Sequence, residues 1–534
     1  MREQSDISRR SLLGLTASVA ALAHPGLASA APTVLPRNAF TGVDAGKGVT
    51  AYTGIPYAKP PVGPLRFAPP ERIGFPQDKR AWTKFGPPAI QNPTPSSVNP
   101  TSELGKALQT IFPTAAEVAA QSEDCLYLNV WTNAKQPETG RPVMVWLHGG
   151  GFATGSGAWP IYDGANLAAQ DVVVVTLNHR LNVFGYADLP EVAGSGNAGM
   201  LDIVAALEWV RDSIYLFGGD PRNVTIFGES GGGAKVSYLL AMPRATGLFH
   251  RAIIQSGPGV KAVPSNRAAA LTTDLYAELG IAPGDIQALR AVPAERLVAA
   301  AAAAEARQPG AGFDRSGFAP VVDGGILPAQ PWDPEAPSTA KNIPVMIGIN
   351  RDEMTLFMAS APWFGRLDDA GLLKMATGIL GPKAPAVLAA LRKDFPDDSP
   401  TYLATHLVTY GRMFAGSVQI AERKAAQGGA KVYMYMLEWG TPVGPFRSTH
   451  TLEIPLVFDN VDKARVLVGK GPEPQVLAKQ MSAAWIAFAR TGHPNTPLIP
   501  FWPHYEAEKR SVMMFNLKSR VVEDPYAATR KAVT

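Results

Sequence analysis

Five short, almost wholly apolar runs in this 534-residue chain each break off into glycines or polar turn residues, and most lead into a stretch with helical spacing. They are "PVMVWLHGGG", "DVVVVTLNHR", "NVTIFGESGGG", "RAIIQSGPG" and "IPVMIGINRDE", and the pattern resumes at "AKVYMYMLEW". A strand that shows no polar alternation is buried on both faces, and parallel neighbours need a crossover between them, normally a helix. The chain is therefore expected to be α/β, with a mostly parallel central sheet flanked by helices. Gly199 to Gly219, "GMLDIVAALEWVRDSIYLFGG", has the spacing of such a crossover helix and ends at two glycines, as helices commonly do. Two long stretches turn helical, Val260 to Pro320 (which holds the alanine tract Ala299 to Ala306) and Met354 to Gly429. They are read as helical insertions on one α/β core.

A 46% hydrophobic content over this length supports a large core. The net charge of +4 is small against 49 basic and 45 acidic residues, and these are scattered, so no nucleic-acid partner is expected. The first thirty residues differ from the rest. Ser8-Arg9-Arg10-Ser11-Leu12-Leu13 precedes an alanine-rich apolar run to Ala23 and then Ala28-Ser29-Ala30. This resembles a twin-arginine export signal cleaved after Ala30, which implies an exported, periplasmic or secreted protein with residues 31–534 as its mature domain. No later stretch is long and apolar enough to span a bilayer, so the mature chain is expected to carry no integral membrane segment. The single cysteine, Cys125, lies in an apolar run and reads as a buried, inert thiol. No clustered Cys/His/Asp spacing suggests a metal site, and no cofactor is expected.

The stretch "FGESGGG" places Ser230 in a G-x-S-x-G between an apparent strand and a helical run. A strand, a very tight turn and a helix are what a nucleophile elbow requires, with glycine two residues either side where side chains would collide. A serine hydroxyl needs a base to take its proton, and the base needs an acid to hold its tautomer. The order serine, acid, histidine leaves His406, His450, His493 and His504. His450 is favoured because it ends a polar loop just before an apolar segment; His406 reads as a core or helix-surface residue, and His493 and His504 as turn and packing residues. The acid falls to Asp352 or Glu353, at the C-terminal edge of the apparent strand Ile343 to Ile349, and the residues alone do not separate them. Asp323 also follows an apolar run, but the glycines after it suit a plain turn. For the oxyanion, the glycine triplet in "LHGGGF" and the amide of Gly231 at a helix N-terminus offer backbone donors.

With these pieces in place, the chain resembles the type B carboxylesterase and cholinesterase-like family of α/β-hydrolases. "YTGIPYAKPPVGPLRF", "SEDCLYLNVW", "VMVWLHGGGF", "VVVVTLNHRLNVFGY", "FGGDPRNVTIFGESGGG", "IGINRDE", "HTLEIPLVFDN", "WIAFARTGHPN" and "FWPHY" are similar to family segments in family order. The resemblance puts the nucleophile on Ser230, the acid on Glu353, the base on His450 and the oxyanion donors on Gly150, Gly151 and Gly231. It gives Glu229 and Ser256 supporting places, the latter as a buried, hydrogen-bonded serine near the triad. It implies a serine carboxylic-ester hydrolase acting through an acyl-enzyme on small to medium esters, with no cofactor. Two rivals stand beside it: a catalytically silent binding module, and the same triad used for amide or carbamate cleavage or for acyl transfer. Oligomeric state and the physiological ester are left open, and Trp159, Trp363 and Phe446 suit a gorge lining or ordinary core equally.

Two departures accompany the resemblance. Ala89 in "GPPAIQNP" stands where the family usually has a cysteine paired with the Cys125 position, which leaves the proline-rich excursion Pro87 to Pro113 without that tether. Thr451 follows the histidine where glycine, alanine or serine is more usual, so a crowded site that still transfers its proton is expected.

Overall fold

A computed structural model describes residues 40–533 apart from 77–79, 92–104, 106–107, 110–111, 114–119, 136–139 and 309–316. The proposed leader and most of the proline-rich excursion lie outside the described residues. Among those described, the main sheet has eleven strands. In chain order they are β1 (Val43–Asp44), β2 (Thr50–Pro56), β3 (Tyr127–Thr132), β4 (Arg141–Leu147), β5 (Val173–Leu177), β6 (Gly219–Glu229), β7 (Arg251–Gln255), β8 (Val345–Asn350), β9 (Val432–Leu437), β10 (Ser511–Phe515) and β11 (Arg520–Glu523). The spatial order is β11-β10-β9-β8-β7-β6-β4-β5-β3-β2-β1. Strands β5, β4, β6, β7, β8, β9 and β10 run parallel, and antiparallel strands close both edges.

The apolar runs fall on the central strands, and both faces are covered. Val143, Val145 and Leu147 of β4 join one core, while Met144 and Trp146 between them join the other. That is the period-two alternation of a strand packed on both sides. Helix α1 (Ala198–Ser213) supplies the crossover into β6 and ends through a short 3-10 turn at Gly218, whose φ of 83° is a left-handed cap. Helix α2 (Gly231–Leu239) follows β6 directly. The first insertion holds Ser265–Leu279, Ile286–Ala291 and Ala294–Arg307, which contains the alanine tract. The second holds Asp369–Leu380, Ala384–Asp394, Pro400–Thr409 and Ala415–Ala426.

The loop that was expected to be untethered is held at its root. The side chain of Asn178 donates to the carbonyl of Pro87 at 3.0 Å, and that of Asn182 donates to Ile90 at 2.8 Å. Gln91 is 7% exposed and exchanges hydrogen bonds with the backbone of Gly155. Three carboxamides thus do what a covalent bridge would do, and Ala89 and Cys125 are both simply buried. Burial pushes the Cys125 thiol well up, which keeps it protonated and inert.

Candidate functional site

The site is built where β4, β6 and β8 end. Strand β6 runs into Ser230, whose φ of 56° and ψ of −123° place it outside the ordinary regions for an L-residue. The turn is possible because neighbouring backbones nearly touch. A Cβ on Gly232 would lie 2.0 Å from the carbonyl oxygen of Leu147, and one on Gly228 would lie 2.6 Å from the carbonyl carbon of Gly232. Glycine is required at both positions, as the G-x-S-x-G reading anticipates. Ser230 is tied in place by its own amide, which donates to Gln255 at 2.9 Å.

The glycine loop after β4 comes up against this elbow. A Cβ on Gly231 would sit 2.5 Å from the amide nitrogen of Gly151, so the two backbones face each other at van der Waals range. Gly150 and Gly151 have φ of 87° and 63°. Among the described residues none accepts from the amides of Gly150, Gly151 or Gly231.

His450 is 3% exposed in the loop before the short helix Ile454–Val457. Its Nδ1 meets Oε2 of Glu353 at 2.5 Å, and the backbone of the two residues is also joined, His450 N–H donating to the Glu353 carbonyl. Glu353 Oε1 accepts from the amide of Asn350, which fixes the carboxylate. This separates the two acids that the residues alone do not. Asp352 points elsewhere, accepting from Arg351 and from the amide of Ser448, with His406 Nε2 3.6 Å away. His406 is a buried residue of helix α3 (Pro400–Thr409), hydrogen-bonded to Asp398; His493 is exposed, and His504 pairs with Glu506. Asp323 caps its own turn, accepting from the amides of Gly325 and Leu327. Of the three aromatic residues, Phe446 is buried, and Trp159 and Trp363 pack against core clusters.

The Ser230 hydroxyl makes no hydrogen bond with the described residues. Instead, His450 Nε2 faces Oε1 of Glu229, the residue before the serine, at 3.1 Å. Catalytic hydrogen bonds are often long or misaligned before substrate binds, and a short swing of the imidazole from residue 229 towards residue 230 is the motion this geometry asks for. Ser256 makes its hydrogen bond through the backbone. It is buried at the end of β7 with a φ of 47°; its amide donates to Gly348 at 2.8 Å, and its hydroxyl meets no partner among the described residues.

Thr451 explains its own oddity. Its φ is 69°, a conformation that costs a β-branched residue about 1–3 kcal/mol and suits glycine. The same loop carries His450, whose Nε2 lies 3.1 Å from the Glu229 carboxylate.

Glu453 adds a group that sequence reasoning missed. It is fully buried, with Oε1 accepting from Gln255 and Oε2 from Asn350 at 2.5 Å. Three buried carboxyl groups therefore surround one imidazole. Burial pushes Glu229 well up, His450 pulls it back, and Glu453 and Glu353 push again. Burial likewise leads in pushing Glu453 up to about 7, with Glu353 next. For His450, burial favours the neutral ring, but Glu229 and Glu353 more than offset it and push it up to about 9. Glu229 and His450 thus titrate as a unit. A base must be neutral to accept a proton, so activity should rise as pH passes through this unit's apparent pKa. Glu229→Gln removes an anion that favours imidazolium, and the acid limb of kcat/KM is expected to move to lower pH by about 1–2 units. A profile with the limb unmoved would show that Glu229 does not set it.

Among the described residues, no group of three or more His, Cys, Asp or Glu could hold a metal ion, and no helix is long and apolar enough to cross a membrane.

Comparison with known proteins follows the same lines. A family model described as Carboxylesterase family matches residues 39–533. A para-nitrobenzyl esterase of Bacillus subtilis is 37% identical over 494 residues, covering 91% of this chain and 94% of the relative. Among solved structures, a carboxylesterase of Geobacillus stearothermophilus superposes with a TM-score of 0.78 at 39% identity, covering 93% of this chain and 98% of that one. An esterase from Clostridium hathewayi that can hydrolyse aliphatic aromatic polyesters gives a TM-score of 0.73 at 32% identity, covering 91% and 94%.

Proposed function

The chain belongs to the carboxylesterase family and is a serine carboxylic-ester hydrolase of the α/β-hydrolase fold; from that premise we propose that Ser230, His450 and Glu353 carry the reaction. The Ser230 oxygen attacks the ester carbonyl while His450 takes its proton. The carbonyl oxygen, now negative, is held by the amides of Gly150, Gly151 and Gly231. Collapse of the tetrahedral species expels the alcohol, which receives the proton from His450, and leaves an acyl-Ser230 that water hydrolyses by the same steps. Glu353 holds the imidazole tautomer and offsets the charge it gains. The observation that carries this reading is the 2.5 Å contact between Glu353 and His450, at a site where Gly231 of the elbow lies against Gly151 of the glycine loop.

Small to medium esters are the proposed substrates, with bulky aromatic polyesters as the far end of a panel. Export is proposed from the twin-arginine leader, with processing after Ala30. One mass-spectrometric experiment addresses both parts: protein recovered from the exported fraction of its host is treated with a fluorophosphonate. A mature chain starting at Ala31 and a single phosphonyl adduct on the Ser230 peptide are expected. An adduct on another residue would overturn the nucleophile, and an intact leader on the exported protein would overturn the processing site.

A further inference from the structure

The proposed mechanism leaves the buried charge of Lys235 unused. Lys235 sits on α2, five residues after the serine, and is 0% exposed. Among the described residues no carboxylate pairs with it. Burial alone pushes it down, to about 7. An ammonium stripped of water and left without a counter-ion is costly, and here the partly positive N-terminal half of its own helix adds to that cost. A buried lysine at such a place needs another reason to be there.

Its contacts bracket the oxyanion loop. The Nζ donates to the carbonyl of His148 at 3.0 Å, the residue immediately before Gly149-Gly150-Gly151. The same Nζ lies 5.5 Å from the centroid of the Phe152 ring, the residue immediately after them. The two anchor points are themselves firm. The His148 ring stacks on His179 at 4.9 Å with 10° between planes, and each Nδ1 meets a backbone carbonyl, of Gly149 and Arg180 respectively. Burial, then the charge of Lys235, keeps both imidazoles neutral. Phe152 stacks on Tyr238, one turn beyond Lys235 on the same helix, at 5.8 Å. The three glycines between these points cannot set their own conformation, because glycine is the most permissive residue.

We propose that Lys235 is a positioning residue for the oxyanion site: by holding both ends of the glycine triplet to helix α2, it fixes the amides of Gly150 and Gly151 relative to Ser230 and Gly231. The inference rests on the reading of those amides as oxyanion donors. A donor displaced from the place where charge develops loses most of its value, and losing one such donor costs on the order of a hundredfold in kcat.

The test compares Lys235→Met, which keeps the length and removes donor and charge, with Lys235→Gln, which keeps an N–H donor. Both are measured for kcat and KM on a p-nitrophenyl ester and for inhibition by a trifluoromethyl ketone, whose serine adduct carries an oxyanion. The methionine variant is expected to lose about 10- to 100-fold in kcat and in ketone affinity, with KM within about threefold of wild type, because only the charged transition state needs the donors in place. The glutamine variant is expected to recover most of that loss. Wild-type kcat in the methionine variant, a loss confined to KM, or glutamine as impaired as methionine would each overturn the proposal. Should methionine not fold, Lys235→Leu replaces it; failure of both to fold also overturns the proposal, since the lysine would then serve the fold rather than the loop. Phosphonate labelling of Ser230 run alongside reports on the underlying mechanism separately.

Discussion

Ser230→Ala is expected to fold as the wild type does and to hydrolyse a p-nitrophenyl ester on the order of 10⁵- to 10⁶-fold more slowly in kcat, the scale known for loss of a serine nucleophile in other hydrolases. The stability half follows from what the side chain does in the fold. Its hydroxyl holds no hydrogen bond with the described residues, and the connection to the sheet is made by the amide of residue 230, which alanine keeps. Alanine meets the same strain as serine at φ 56°, so the elbow is no harder to form. The kinetic half follows from the interdependence of the triad: without the oxygen, the base has no proton to take and the amides have no covalent tetrahedral adduct to hold. A second substitution, His450→Ala, should therefore add little to the first, since residues acting as a unit lose their effect together. Measurable turnover in Ser230→Ala, within about tenfold of wild type, would mean that some other group attacks the ester.

Much of this was legible in the sequence because it rests on local rules. A strand buried on both faces has to be apolar throughout, so β4, β5, β8 and β9 announce themselves. The elbow is legible because its glycines are demanded by contacts within a few residues of the serine and by the adjoining end of β4. Chain order and the polar loop before "LEIPLVF" favour His450. What stayed hidden depends on partners distant in sequence. Asp352 and Glu353 look alike until the peptide after Asn350 turns one carboxylate back to the Asn350 amide and towards His450, and the other to Arg351 and Ser448. Glu453 is not singled out by the sequence, because only tertiary packing brings Gln255 and Asn350, 198 and 103 residues away, to its two oxygens. Nothing in "GAKVSYLL" says that the oxyanion loop will cover Lys235. The root of the loop at Pro87 is the same kind of case. A missing cysteine is visible, whereas carboxamides supplied from residues 178 and 182 are not.

The largest stability effect is expected away from the reacting atoms, at Asp202. This residue of α1 and Arg180 of the loop after β5 form an ion pair whose side chains are 0% and 3% exposed. Arg180 uses Nε, Nη2 and its own amide on the two carboxylate oxygens, at 2.9, 2.7 and 3.0 Å, and sends Nη1 to the carbonyl of Ala68 at 2.7 Å. Asp202→Ala leaves a guanidinium in the core with one acceptor in place of several. Breaking a buried pair in this way costs about 3–5 kcal/mol, far more than an exposed pair does. For a chain of this size the unfolding entropy is on the order of 1 kcal/mol per degree, so the midpoint should fall by roughly 3–5 °C. The cost is in the orphaned charge rather than in the loss of a strong bond. Replacing both partners with apolar side chains, Asp202→Leu with Arg180→Met, should therefore restore most of the lost stability. Activity should follow stability only in part, because Asn178 and Asn182, on either side of Arg180, hold the carbonyls of Pro87 and Ile90 and so carry the root of the proline-rich loop. Denaturant titration of the single and double variants decides the matter. A single variant as stable as wild type, or a double variant no better than the single, would mean that the pair is solvated and that this loop is held by its carboxamides alone.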